Sequence, residues 1–249
     1  MTSTMVNKIF KKTAILTFWL LVWQVLSLVI NRELIIPSPL STIKALISLA
    51  QTKNFYIAVL YSLLRIIIGF TLGVIIGFIF GLLSAKYQTF KEITAPAVQL
   101  IKAVPVASFI ILAFFWFKSS NLPVFIAFLM VLPIIWSTTE TALKTIDNKY
   151  IEMGQVFRLT KTQIFFKIKF PLIFPAFISS ALTSLGFAWK SGIAAEVITK
   201  PLYSIGSMLE QSKTHLEIAE VFALTAVVAI LSVLLEISLK KLFRRVSSC

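Results

Sequence analysis

The stretch from Asp147 to Pro175, DNKYIEMGQVFRLTKTQIFFKIKFPLIFP, is a long polar interruption in an otherwise apolar chain. It carries Lys149, Arg158, Lys161, Lys167 and Lys169 against Asp147 and Glu152. Asp147 can cap a helix running to about Arg158, whose Ile151, Met153, Val156 and Phe157 supply a contact face. Thr160 to Gln163 fits the reciprocal capping pattern, in which the threonine hydroxyl accepts from the glutamine amide and the glutamine side chain reaches back. Leu159 and Ile164 occupy the two positions of a hydrophobic staple. Two short helices joined by a sharp turn are therefore expected, with Pro171 ending the second and starting the next apolar run. A segment with this much local structure is more than a tether between spans.

The composition places that segment in a membrane protein. Of 249 residues, 58% are hydrophobic and 14% charged, where a soluble domain carries about 25% charged residues. Mean hydropathy is +0.92. The formal charge of +14 does not mark a nucleic-acid binder, because the basic residues cluster at the ends of apolar runs, as the positive-inside rule requires. Cys249 is the only cysteine, so neither a disulfide framework nor a thiolate metal site is available. Lys8, Lys11 and Lys12 precede an apolar run with no small-residue cleavage site, which reads as a retained signal-anchor helix.

Working outward, six spans are expected: residues 13–30, 57–85, 93–117, 123–142, 172–198 and 217–239. They form one transmembrane domain over residues 1–249, with a cytoplasmic loop at 143–171. Ser38 and Pro39 form an N-cap and first-turn proline pair, opening a short interfacial helix in LSTIKALISLA. The PLYSIGSML segment between the last two spans contains turn residues. The second span would reach about 43 Å, against about 30 Å of hydrocarbon, so it tilts or protrudes. Within it Gly69, Gly73, Gly77 and Gly81 fall four apart, continued by Ala85. That spacing puts them on one ridge, and a bare ridge lets another helix approach closely in lipid. Whether the partner helix lies in the same chain is not legible. Pro96, Pro105 and Pro133 fall inside spans, where the carbonyls they free need neighbours or water. This turns Pro105 toward the bundle interior.

Charge sets the orientation. Of the 24 Lys and Arg residues, fifteen fall on the side of the 143–171 loop, six on the other side, and Arg65, Lys102 and Lys190 within spans. Both termini and the loop are thus expected in the cytoplasm.

Ionisable residues within spans are costly and default to functional roles. Arg65, Lys102, Pro105, Lys190 and Glu196 are the candidates for a translocation pathway. Arg65 has a second reading, snorkelling from the end of an over-long span; Lys102 has another, an internal ion pair. Lys190 and Glu196 are about 240° apart around a helix, so they do not pair with each other, and each needs another partner or water. Three cations against one anion lean toward an anionic solute. His215 reads as a surface residue, and no metal site is expected. There is no phosphate-binding loop of the form G-x-x-x-x-G-K-[ST], no H-E-x-x-H helix, and no nucleophile–base set, so no ATPase or other catalytic activity is expected in this chain.

The loop pattern Glu152-Met153-Gly154, then Arg158, then Ile168-Lys169-Phe170-Pro171 resembles the cytoplasmic signature of ABC importer permeases. The stretches IIPSPLSTIKALISL (35–49), YSLLRIIIGFTLGVIIGFIFGLL (61–83), AVPVASF (103–109) and GFAWKSGIAAEVI (186–198) resemble the nitrate/sulfonate/taurine branch. The resemblance covers nearly the whole chain. Four positions depart from the pattern: Arg158 stands where the family has glycine, Met153-Gly154 replaces an alanine pair, and Phe170 replaces leucine.

The resemblance implies an all-α, MetI-like importer-permease bundle in a bacterial inner membrane, with cytoplasmic coupling helices. It implies that Glu152, Met153, Gly154, Arg158, Leu159, Thr160 and Pro171 couple the bundle to a separate ATPase subunit that binds ATP and magnesium. Further implied partners are a second permease copy, most simply an identical one, two ATP-binding cassette subunits and an external solute-binding protein. Glu152 has a second reading as a partner for Arg158 or a nearby lysine, and Gly154 as a point of local flexibility. The competing functions are an ATPase-independent channel or secondary transporter, and an intramembrane lipid-modifying enzyme. The first would leave the structured loop unexplained, and the second lacks a catalytic set.

Overall fold

The computed structural model describes residues 2–247; Cys249 lies outside them. Eleven α-helices and one π turn account for nearly all of the described residues, and no strand occurs among them. Five helices are long and apolar enough to cross a membrane, or six if one bent pair counts as a span. Helices satisfy every backbone group internally, which is why lipid-embedded segments adopt them.

The centre of the bundle is α6 (Leu122–Lys144), flanked by α3 (Lys53–Lys86) and α9 (Phe170–Thr199). Lipid provides no water-exclusion drive between apolar helices, so close backbone approach is what holds them. The glycine ridge supplies that approach, and its partner lies within the chain. A Cβ on Gly73 would lie 2.6 Å from Val131 Cβ, and one on Gly77 would lie 2.9 Å from the Leu132 carbonyl oxygen. One on Gly81 would lie 2.6 Å from Thr139 Cβ, while Gly69 abuts the Val124 carbonyl. All four glycines are buried, and each faces α6. Two indoles add ties: Trp136 Nε1 of α6 donates to Ser84 Oγ of α3 at 2.7 Å, and Trp189 Nε1 of α9 donates across to the Val228 carbonyl of α11 (Ile218–Ser247) at 3.0 Å.

The region expected as a third span is not a straight helix. It divides into α4 (Gln88–Ala103) and α5 (Val106–Ala113), bent by 106° at the break. The physical cause is Pro105. A proline disfavours helical geometry in the residue before it, and Val104 is extended at φ −82°, ψ 132°. Pro105 therefore caps α5 and is exposed, where the sequence reading had it inside a span and facing inward. Ile110 and Ala113 of α5 bury against Leu122, Ile126 and Ala195.

Two short helices cover one end of the bundle. Ser38 Oγ caps α2 (Pro39–Ala50) by accepting from the Ser41 amide at 3.0 Å, and Pro39 fills the first turn. The PLYSIGSML segment, read as turn-rich, contains instead the start of α10 (Ile205–Thr214), capped by Ser204 Oγ on the Ser207 amide at 3.0 Å. At the sequence extremes, α1 (Thr2–Ile30) and α11 run beyond their expected spans, so Lys240 and Lys241 continue a helix and do not follow one.

Candidate functional site

The polar stretch between α6 and α9 folds locally. Asp147 Oδ1 accepts from the Lys149 amide at 2.9 Å and opens α7 (Asn148–Val156). Gln163 Oε1 accepts from the Thr160 amide at 2.9 Å, and Thr160 Oγ1 accepts from the Gln163 amide at 3.3 Å. The capping box thus starts α8 (Lys161–Ile164).

The turn between the two helices has a different origin from the expected one. Arg158 sits at φ 52°. Its amide donates to Gln155 O at 2.8 Å, and the next amide, Leu159, donates to Gly154 O at 2.9 Å. This double bond pattern is a Schellman C-cap, whose left-handed position favours glycine. Arg158 therefore occupies a position whose backbone suits glycine, at a cost of about 1–2 kcal/mol for a side-chain-bearing residue. Arg158→Gly is expected to slow hydrogen exchange at the Leu159 amide about two- to fivefold, since part of the relief is offset by glycine's unfolded-state entropy. Unchanged exchange would show that the turn stores no such strain.

Two further expectations for this stretch change. Gly154 is buried, but the neighbour it admits is internal: a Cβ there would lie 2.9 Å from Ile168 Cδ1 and 3.2 Å from Ile164 Cγ1. Nor does Pro171 separate two helices. From α8 the chain passes through a π turn (Phe165–Lys169) directly into α9, with the Phe170 amide donating to Phe165 O. Pro171 has no amide hydrogen and its ring crowds the carbonyl four residues back; the wider π turn just before it relieves that crowding.

Outward from this stretch point Tyr150, Met153, Val156 and Phe157, the last two 80% and 71% exposed. Glu152 is exposed beside them. Among the described residues it pairs with neither Arg158 nor a lysine within 4.0 Å. The segment presents a free carboxylate in an apolar patch, the composition of a surface awaiting a partner.

At the other end of the bundle Arg65 and Glu196 find each other. Arg65 Nη1 lies 3.4 Å from Glu196 Oε1, and Glu196 has no exposed surface. Glu196 Oε2 also accepts from Ser62 Oγ at 2.7 Å and from the Gly206 amide at 3.3 Å. Arg65 donates to the carbonyls of Leu202 and Tyr203 at 2.9 and 3.0 Å. These bonds bind α3 and α9 to the connection leading into α10, in which Lys200 and Tyr203 take positive φ. Glu196 is thus sealed from every opening in this structure, and Arg65 is held inward instead of snorkelling. Both belong to a structural clamp.

Lys102 and Lys190 are exposed. Lys102 lines a cleft of about 180 Å³ between α3, α4 and α6, with Ser84, Lys91, Gln99, Trp136 and Glu140. In it Lys91 Nζ lies 2.7 Å and Lys144 Nζ 3.0 Å from Glu140 Oε1. Glu140, Gln99 and Ser84 were absent from the sequence candidates. The Glu140–Lys144 spacing was a usable sign of a helical ion pair, whereas Lys91 comes from another helix and left none. A second, wider groove of about 480 Å³ runs between α6 and α9, lined by Ser137, Thr138, Thr141 and Thr145 with Leu172 and Ala176. On α9, Ser179, Thr183 and Lys190 share the exposed face.

A polytopic helical bundle with polar grooves and a separately capped, outward-facing helix pair defines a membrane transport subunit. The chain belongs to the family described as the binding-protein-dependent transport system inner membrane component, which matches residues 69–248. It is thus a multi-pass inner-membrane permease. The taurine transport system permease protein TauC of Escherichia coli (strain K12) is 25% identical over 239 residues, covering 94% of this chain and 86% of that protein. The nitrate import permease protein NrtB of Synechocystis sp. is 23% identical, covering 92% and 86%. The bicarbonate transport system permease protein CmpB of the same organism is 26% identical, covering 74% and 66%. Among solved structures, an inward-facing form of the MetNI methionine ABC transporter superposes with a TM-score of 0.62 at 16% identity, covering 76% of this chain and 94% of that one. That likeness concerns the fold.

Proposed function

We propose that this chain is one permease of a pair, most simply a homodimer, in an importer driven by two ATP-binding cassette subunits and fed by an external solute-binding protein. ATP and magnesium belong to the cassette subunits. The observation that carries the reading is the α7–α8 pair, two locally capped helices presenting Tyr150, Met153, Val156, Phe157 and Glu152 away from the bundle. Closure of the ATPases moves this segment. The movement passes through the π turn into α9, and the bundles rock between outward and inward openings around the grooves beside α6. The charge distribution supports a cytoplasmic side for α7, α8 and both termini. The solute is a small one, and taurine, nitrate and bicarbonate in the names of relatives point to small charged solutes.

Reconstitution in proteoliposomes with the cassette subunits and binding protein tests this. Uptake should require ATP, and Glu152→Lys should lower it at least tenfold while the permease keeps its melting temperature, because a reversed charge at the contact repels where the native one attracts. Equal uptake without any ATPase subunit would refute the reading and favour a channel or secondary transporter. Unchanged coupling in Glu152→Lys would remove Glu152 from the contact.

A further inference from the structure

We propose that the cleft between α3, α4 and α6 is a binding site for a small monovalent oxyanion, one in each protomer, with Lys102 as its charged ligand and Gln99 and Ser84 as hydrogen-bond donors. The proposal rests on the transport reading and sharpens it by naming the solute's charge and the residues of this chain that would hold it.

The argument begins with the charges around the cleft. Glu140 is its only acid, and that carboxylate already takes both Lys91 and Lys144. With two lysines on one carboxylate, that group is itself net positive. Lys102 adds a further charge, and no ion pair engages it among the described residues. The cleft therefore favours an anion and repels a cation.

The available hydrogens agree. Thr94 spends its hydroxyl hydrogen on Phe90 O at 2.7 Å, and Ser137 spends its own on Pro133 O at 2.7 Å. Ser84 differs: its oxygen accepts from the Trp136 indole, which leaves its hydrogen unspent. The Gln99 amide makes no hydrogen bond within the described protein. Unspent hydrogens of the cleft remain on Lys102, Gln99, Ser84 and the Lys91 ammonium, and these donors outnumber the free acceptors there, Glu140 Oε2 and Gln99 Oε1, which is what oxyanion oxygens require. The volume of about 180 Å³ is many times the 10–15 Å³ or so that a single water needs, so a small oxyanion with part of its hydration fits.

The bland account of Lys102 is its place in the last turn of α4, where a cation complements the helix dipole. That account predicts no dependence of stability on anions, so the two separate experimentally.

The test uses the full chain in nanodiscs without ATPase, so its outcome does not depend on coupling. Sodium nitrate, bicarbonate and methanesulfonate are titrated against gluconate at constant ionic strength, with melting temperature and tryptophan fluorescence as readouts. At least one probe should stabilise the protein saturably and alter the Trp136 contribution, a signal that Trp136→Phe removes. Lys102→Gln should raise the apparent Kd at least tenfold, Lys102→Arg should retain binding, and Lys118→Gln, in the loop before α6, should leave it unchanged. Absence of saturable binding by all three probes would overturn the proposal. So would a Kd unchanged in Lys102→Gln. If ATP-driven uptake is present while the site fails, the function stands and only the assignment of the anion site falls.

Discussion

Gly73→Leu should yield no stably folded permease. The position faces Val131 so closely that even a Cβ would lie 2.6 Å from Val131 Cβ and 3.0 Å from the Phe128 carbonyl oxygen. A backbone oxygen cannot move aside as a side-chain tip can, so a leucine must push α3 off α6. Overpacking of an interior typically costs about 1–3 kcal/mol and occasionally more; here the largest interhelical contact of the bundle is at stake, and a value above that range is expected. In detergent, monodisperse yield should collapse, or the melting temperature of what remains should fall by more than 10 °C at roughly 2–4 °C per kcal/mol for a chain of this size. Gly186→Ala provides the contrast. A Cβ there meets nothing within 4 Å, and alanine is the better helix former by about 1 kcal/mol, so stability should hold or rise. Equal tolerance at both positions would mean that the glycine ridge is not what holds α3 to α6.

Glu196→Ala should be nearly as severe, for an electrostatic reason. The carboxylate is fully buried and receives Arg65, Ser62 and the Gly206 amide. Its removal leaves a guanidinium and two donors short of their acceptor in a buried site. Breaking one half of a buried pair costs about 3–5 kcal/mol, so a clear loss of thermal stability is expected. Replacing both partners, as in Arg65→Met with Glu196→Met, should recover a large part of it, because no uncompensated charge then remains. The carbonyls of Leu202 and Tyr203 would still lose Arg65, so recovery should be incomplete and the connection into α10 should exchange faster. If the double variant is no better than the single one, the cluster acts by something other than charge compensation.

The α7–α8 segment shows how legibility divides. The caps by Asp147 and by Thr160 with Gln163 were readable because each involves groups two or three residues apart. The Schellman turn was not, because arginine stands where the pattern would carry glycine, and only the backbone at φ 52° reveals the demand. The resemblance placed Gly154 among the coupling residues, yet the close neighbour it admits, Ile168, lies on the far side of that turn. Pro105 was legible as a disruption; whether a proline kinks a span or breaks it depends on what receives the next helix, here the pocket of Leu122, Ile126 and Ala195.

The long apolar helices other than the broken pair α4–α5, the short helix after Ser38, the glycine ridge and the caps of the central loop follow from the order of residues alone. Each depends on hydropathy, on helical periodicity or on capping between near neighbours, all of which act along a few turns of chain. Three features required the folded bundle: that the ridge meets α6 of the same chain, that Glu196 answers Arg65 across 131 positions, and that Lys91, Lys102 and Glu140 share one cleft. In lipid the pairing of helices rests on surface shape and on which buried polar groups can satisfy one another. Those are properties of two surfaces brought together, and neither strand of sequence states them by itself.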